Sequence, residues 1–134
     1  YADSLKALKD DRLIFTGYVH DSEVLAALYH HCYVYVHGHE FGGTNPTMIK
    51  AMAYGCAILA LNTVFNKEML DNDSYGIYFE KNPAAVRQQI DYADQHHKQI
   101  KKLSENSHLG IIDKYNWDCI TDQYLEVFRR LAEK

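Results

Sequence analysis

Long hydrophobic runs are absent from this chain. No apolar stretch approaches the ~20 residues of a membrane span, and nothing at the start resembles a signal peptide. Proline is scarce, at 2 residues in 134, and no Ser/Pro-rich linker, repeat or low-complexity tract divides the sequence. Positive charge is not in excess: the formal net charge is -4 and the pI about 6.0. That excludes a nucleic-acid module held by phosphate attraction. Cysteine is limited to Cys32, Cys56 and Cys119. They are odd in number, far apart in sequence and set in or beside apolar stretches. Such a pattern fits reduced thiols of a cytosolic protein better than a disulfide or zinc framework. No Met opens the chain, which starts at Tyr1, so a larger parent protein is expected.

What is present is ordinary for a folded domain. With 47% hydrophobic and 24% charged residues, a disordered or fibrous chain is ruled out. A domain of this length buries about two-thirds of its unfolded surface, enough for one core. Two periodicities alternate along it. Arg12-Leu13-Ile14-Phe15-Thr16, closed by Gly17, predicts a strand. Asp21-Ser22-Glu23 then supplies an N-cap and an acidic first turn, followed by a helical stripe of Val24, Leu25 and Leu28. Cys32-Tyr33-Val34-Tyr35-Val36 predicts a second strand, Cys56 to Leu61 a third and Ile77-Tyr78-Phe79 a short fourth. Val86, Ile90, Ala93, Ile100 and Leu103 share one helical face, and Ile120, Tyr124, Val127 and Leu131 share another. Strand–helix alternation with continuous apolar strands predicts an α/β fold: a Rossmann-like parallel sheet flanked by helices, with right-handed crossovers. Four strands make a small sheet, and further strands are expected before Tyr1.

One segment carries chemistry. From His37 to Gly55 the chain reads His-Gly-His-Glu-Phe-Gly-Gly-Thr-Asn-Pro-Thr-Met-Ile-Lys-Ala-Met-Ala-Tyr-Gly. It lies between a strand end and a helix start, the carboxyl edge where parallel sheets bind ligands. Gly42 and Gly43 let backbone amides approach a ligand closely. Asn45 suits the N-cap, Pro46 the first helical position and Gly55 the C-terminal stop. The helix N-terminus is expected to point unpaired N–H groups and partial positive charge into the loop, where a phosphate or diphosphate fits. A tight connection without a ligand remains the alternative.

This segment resembles the donor-binding signature of the retaining glycosyltransferases of family 4, which have the two-domain GT-B fold. There a Glu, a Gly-rich loop and a Pro lead into a helix beginning Glu-Ala-Met-Ala-x-Gly. The matching stretch is Lys50-Ala51-Met52-Ala53-Tyr54-Gly55, followed by Cys56-Ala57-Ile58-Leu59-Ala60. The run from His37 to Pro46 is most similar to bacterial rhamnosyltransferase-like enzymes of polysaccharide assembly. The likeness extends over Arg12 to Gly17, Asn66-Lys67-Glu68-Met69-Leu70 and Tyr115-Asn116-Trp117. The resemblance implies that residues 1–134 are the greater part of a nucleotide-sugar-binding C-terminal domain. The amides of Gly42, Gly43 and Thr44, with Asn45, would hold the diphosphate of the donor. Stabilising the charge of the departing nucleoside diphosphate in this way needs no metal. Glu40 would accept from the donor sugar hydroxyls, His39 or His37 would hydrogen-bond the sugar or a phosphate oxygen, and Glu68 would add a contact. The donor implied is a nucleotide-diphosphate sugar such as dTDP-rhamnose. The acceptor, a saccharide or lipid-linked saccharide, would bind an N-terminal domain outside this chain. Nucleic acid is not an expected partner, and placement is cytoplasmic, or peripheral at the inner face of the membrane.

The sequence departs from that pattern at Lys50. Family members carry a Glu there whose carboxylate accepts both ribose hydroxyls, and Lys has donors only. Lys50 could instead reach the phosphates, mark a weakened site or be a solvated lysine. Glu40 also precedes Lys50 by ten residues where the commoner spacing is eight. A catalytically degenerate binding or interaction domain and a GT-B-fold sugar-nucleotide epimerase are therefore the rival readings. An Arg/Lys pair and the acceptor domain expected upstream lie outside the chain, so the isolated chain is expected not to transfer sugar. His37 and His39 share a strand face and could chelate, but no third ligand is spaced to join them. His96-His97 is expected on the surface of a long helix, and Trp117 as a packing anchor for the last helix.

Overall fold

A computed structural model of the chain describes residues 2–8, 10–112 and 114–133. Its centre is β2 (Ile58–Leu61), four apolar residues buried on both faces. Two-sided burial requires neighbours on either edge, and β1 (Tyr35–His37) and β3 (Gly76–Phe79) supply them. Both pair parallel to β2, Tyr35 opposite Ile58 and Ile58 opposite Gly76, in the order β1-β2-β3. Each crossover is helical. α2 (Ser22–His31) precedes β1, and α3 (Pro46–Ala53) joins β1 to β2. α4 (Val64–Met69) joins β2 to β3, and α5 (Pro83–Gln95) packs back on β3. α1 (Ala2–Lys6), α6 (His97–Asn106), α7 (Leu109–Ile112) and α8 (Trp117–Ala132) complete the chain. The fold is a small Rossmann-like α/β unit.

The two faces of the sheet are filled differently. Met48, Ala51 and Met52 of α3 pack on Ile58 and Ala60 with Met69 and Leu70. On the opposite face Ala57, Ala93, Ile100 and Leu103 form one cluster, and Leu59, Leu61 and Phe79 another. Capping follows the sequence closely. Asp21, Thr63, Asn82 and Asn116 each accept from backbone amides of the helix they open. Gly55 stops α3 at φ +76°, a conformation that favours glycine.

Three expectations are corrected. Arg12–Thr16 forms no strand, so the sheet has three strands rather than four. The segment has no ladder partner among the described residues, and Ile14 is 84% exposed. An apolar run becomes a strand only where a neighbouring edge takes its hydrogen bonds. The stripe from Val86 to Leu103 is not one long helix. It breaks at His96 (φ -121°, ψ 46°), which ends α5 and opens α6; Ala93, Ile100 and Leu103 are buried, and Ile90 is exposed. His96 and His97 themselves lie exposed. Trp117 anchors nothing: it is 85% exposed, and no residue of α8 is buried. The α8 stripe is amphipathic, but the sheet and its helices leave its apolar face uncovered among the described residues.

Packing between β2 and β3 is close enough to test. A Cβ on Gly76 would stand 2.7 Å from Leu70 Cδ1 and 3.0 Å from the Ile58 carbonyl oxygen, which is backbone and cannot yield. Gly76→Ala is expected to lose about 1–3 kcal/mol, seen as a lower urea midpoint at unchanged m-value. A wild-type midpoint would contradict this packing.

Candidate functional site

β1 delivers the chain to the carboxyl edge at His37, and residues 38–45 form the loop before α3. His37 is 3% exposed, and its Nε2 has no hydrogen-bond partner among the described residues. Its ring stacks between Tyr35 (centroids 6.0 Å) and His39 (5.6 Å). Burial first, and the charge of His39 second, hold the His37 imidazole below its ordinary pKa. It is therefore neutral at neutral pH, one nitrogen donating and one accepting.

Asn66 fixes the loop from below. It is a buried α4 residue whose Nδ2 donates to the carbonyl of His39 (3.1 Å) and to that of Leu61 at the end of β2 (2.8 Å). One amide thus ties two carboxyl-end segments together. Across the edge, Glu40 pairs through Oε2 with Lys81, which follows β3. Both are partly or largely exposed, so the pair contributes little to stability. Glu40 Oε1 is not used in that contact.

The start of α3 corrects one expectation. Its N–H groups are not unpaired. Pro46 has none, Thr47 and Met48 donate to Asn45 Oδ1 at 3.0 and 3.3 Å, and Ile49 donates to the Asn45 carbonyl. Asn45 Oδ1 also accepts from the Thr47 hydroxyl at 2.6 Å, and the Asn45 N–H points at Met69 Sδ, 3.3 Å away. The cap that sequence reasoning identified is the reason the helix end offers no donors. Unpaired donors lie just upstream instead. The amides of Gly42, Gly43 and Thr44 have no acceptor among the described residues, and Gly42 sits at φ +115°, in the left-handed region.

Beside these amides a small cleft of about 90 Å³ is lined by Gly43, Thr44, Phe65, Glu68, Met69 and Tyr115. It adjoins a more open groove of about 330 Å³ that shares Thr44, Glu68 and Tyr115 and extends along Lys114, Ile120 and Gln123. Burial, then the negative charge of Glu68, push the Tyr115 phenol above its ordinary pKa, while Lys114 and the Thr44 side chain pull it back. The phenol therefore remains a donor throughout the neutral range. A larger hollow of about 460 Å³ along the outside of α5 contains none of the loop residues.

Gly43, Thr44 and Glu68, singled out from the sequence, are thus brought to one cleft, whose lining does not include Gly42. His37 and His39 stack on each other at the same edge, and Glu40 pairs there with Lys81. Lys50 is exposed on α3 and lines neither hollow. Lys81, Asn66 and Lys114 were missed. A signal for Lys81 exists: Asn82-Pro83 after β3 repeats the Asn45-Pro46 arrangement after β1, and marks a second loop at the same edge. Asn66 left no comparable sign, because a buried amide reads like any polar helix residue. Among the described residues no three His, Cys, Asp or Glu side chains converge as metal ligands would.

The family model described as Glycosyl transferases group 1 matches residues 1–94. The match spans the loop, α3, α4 and β3, and ends near the close of α5; Lys114, Tyr115 and α8 lie beyond it. No curated protein and no solved structure matches the chain. No described helix is long and apolar enough to cross a membrane.

Two predictions follow from the anchoring of this edge. Asn66→Ala is expected to cost about 1–3 kcal/mol, because the buried Leu61 carbonyl and the partly exposed His39 carbonyl lose their shared donor, whereas Lys81→Ala should cost less than about 1 kcal/mol. Chemical denaturation of both variants ranks them, and the reverse order would mean that the ion pair holds the loop. The pH dependence has a definite sign. With the His37 pKa lowered from 6.5, the unfolded chain takes the proton first. The neutral-state stability is complete above pH 6.5 and declines as pH falls towards the folded value. Melting temperatures across this range should fall less steeply for His37→Gln than for wild type; parallel curves would refute the assignment.

Proposed function

The chain belongs to the group 1 glycosyl transferases, and on that premise we propose that it is a donor-side portion of a retaining, family 4-like GT-B enzyme. Its role is to hold a nucleotide-diphosphate sugar, with dTDP-rhamnose the preferred donor, while a saccharide or lipid-linked saccharide acceptor binds a separate N-terminal domain. Polysaccharide assembly at the cytoplasmic side of a membrane is the corresponding setting. The observation that carries this reading is that the amides of Gly42, Gly43 and Thr44 have no acceptor among the described residues, the last two residues lining the cleft with Glu68 and Tyr115.

The chemistry asked of these groups is modest and specific. Transfer breaks the bond between the anomeric carbon and a phosphate oxygen, so negative charge accumulates on the departing diphosphate. Fixed amide donors stabilise that charge without reorganising, and the positive end of the α3 dipole adds to them even though its own N–H groups are capped. Asn45 retains only its Nδ2 donors for a ligand. Glu40 keeps one carboxylate oxygen on Lys81 and offers the other to sugar hydroxyls. His39, exposed and stacked on the buried His37 ring, is a further hydrogen-bonding position. Glu68 accepts from the nucleoside side, the part that Lys50 cannot play. No metal is required by this arrangement. A second reading, a domain that binds the donor without transferring sugar, is favoured by one observation, the exposed Lys50 where a carboxylate belongs.

Calorimetry with dTDP, UDP, their sugar conjugates and pyrophosphate tests the proposal. Weak binding, about millimolar, is expected for the nucleoside diphosphates. Heat from none of them would overturn it. Lys50→Glu should tighten nucleotide binding about tenfold, a gain of roughly one charge-assisted hydrogen bond. Marked weakening would instead make Lys50 a phosphate ligand.

A further inference from the structure

At the other end of the same β1–α3 unit, two of the three cysteines meet. Cys32 is the C-cap of α2, and Cys56 follows Gly55 at the end of α3. They are 24 positions apart in sequence, yet their sulfurs lie 3.3 Å from each other. The Cys32 thiol donates to Cys56 Sγ, and the Cys56 thiol donates to the Tyr29 carbonyl at 3.1 Å. Cys56 is buried among Met48, Ala51 and Ile58, with its N–H held by the Ala51 carbonyl. Cys32 is only half-buried. Both are free thiols. A disulfide needs its sulfurs about 2.05 Å apart, so closure asks for a shift of roughly 1.2 Å, within reach of side-chain rotation.

We propose that Cys32 and Cys56 form a reversible disulfide-bonding site, oxidised by a small-molecule disulfide of the glutathione class. The steps balance. The half-buried Cys32 thiolate attacks one sulfur of the oxidant, releasing a glutathione thiolate and leaving glutathione bonded to Cys32. Cys56 Sγ then attacks Cys32 Sγ and displaces the second glutathione. The two protein protons pass to the two glutathione thiolates, so the oxidant is reduced by two electrons and the protein dithiol is oxidised by two. The order follows from burial, which pushes the Cys56 thiol up to about 12 and leaves the first attack to Cys32.

The ring so closed contains β1, the whole candidate loop and α3. His37, His39, Glu40, Gly42, Gly43, Thr44, Asn45 and Lys50 lie inside it, whereas Asn66, Glu68, Lys81 and Tyr115 lie outside. Oxidation therefore restrains the ligand-bearing unit from its far end without touching the ligand position. Cys119, on α8, is outside the ring.

The chain is equilibrated in graded ratios of reduced to oxidised glutathione and quenched. Peptide mass mapping should then find residues 32 and 56 joined with loss of two hydrogen atoms. The melting temperature should rise by about 10 °C and return to its starting value with dithiothreitol. Cys119→Ser should behave as wild type, and Cys32→Ser should lose both the link and the rise. Glutathione persisting on Cys32, linkage through Cys119, or a link without any rise in melting temperature would overturn the proposal.

Discussion

Burial of β2 on both faces is the constraint from which the rest of the architecture follows. Four consecutive residues without water contact must surrender their backbone groups to neighbours on either side. β1 and β3 take up those groups, and both pair parallel and in fixed register with it. Parallel strands in turn need crossovers, and α3 and α4 bury their apolar faces on one side of the sheet as they return. All three strands then finish at one edge, where the loops carrying His37 to Asn45, Asn62 to Thr63 and Glu80 to Asn82 converge. The candidate site exists because the core has no other way to close.

What that edge offers is decided by how its own polar groups are already satisfied. Asn66 fills the carbonyls of Leu61 and His39, and Asn45 fills the first amides of α3. Once those obligations are met, the groups left over are amides of Gly42, Gly43 and Thr44, one Glu40 oxygen and the Nε2 of His37. If the edge holds a diphosphate as proposed, the local balance of donors, and not net charge, sets that preference. A chain of net charge -4 has no long-range attraction for a diphosphate. Recognition by oriented amides at short range does not need one.

Legibility in the sequence divides along the same line. Features written in local chemistry were readable. Asn45 before Pro46, Gly55 after the helix and the apolar run at Ile58 each act through their own backbone or immediate neighbours. Features that depend on what lies opposite were not. Leu13, Ile14 and Phe15 have strand composition, yet no described edge receives them. Tyr124, Val127 and Leu131 share a helical face that no described element covers. The break at His96 divides a stripe whose periodicity continues through it, so spacing alone could not reveal it. In the site, the cap at Asn45 was legible while its consequence was not, since the satisfied helix end shifts the available donors upstream to the glycines.

The same division bears on Lys50. Met48, Ala51 and Met52 on α3 are wholly buried and hold the helix on the sheet, whereas position 50 faces solvent and contributes nothing to that contact. A reversal of charge there leaves the fold intact, because exposed helix positions tolerate either sign within a few tenths of a kcal/mol. The backbone amides are equally indifferent to it, being properties of the loop's conformation and not of any side chain. A domain built in this way retains its shape and the amides of its loop while the exposed side chains around them change. Glu68 is where such a change alters the lining of the cleft, and Lys50, outside it, is where one leaves that lining unchanged.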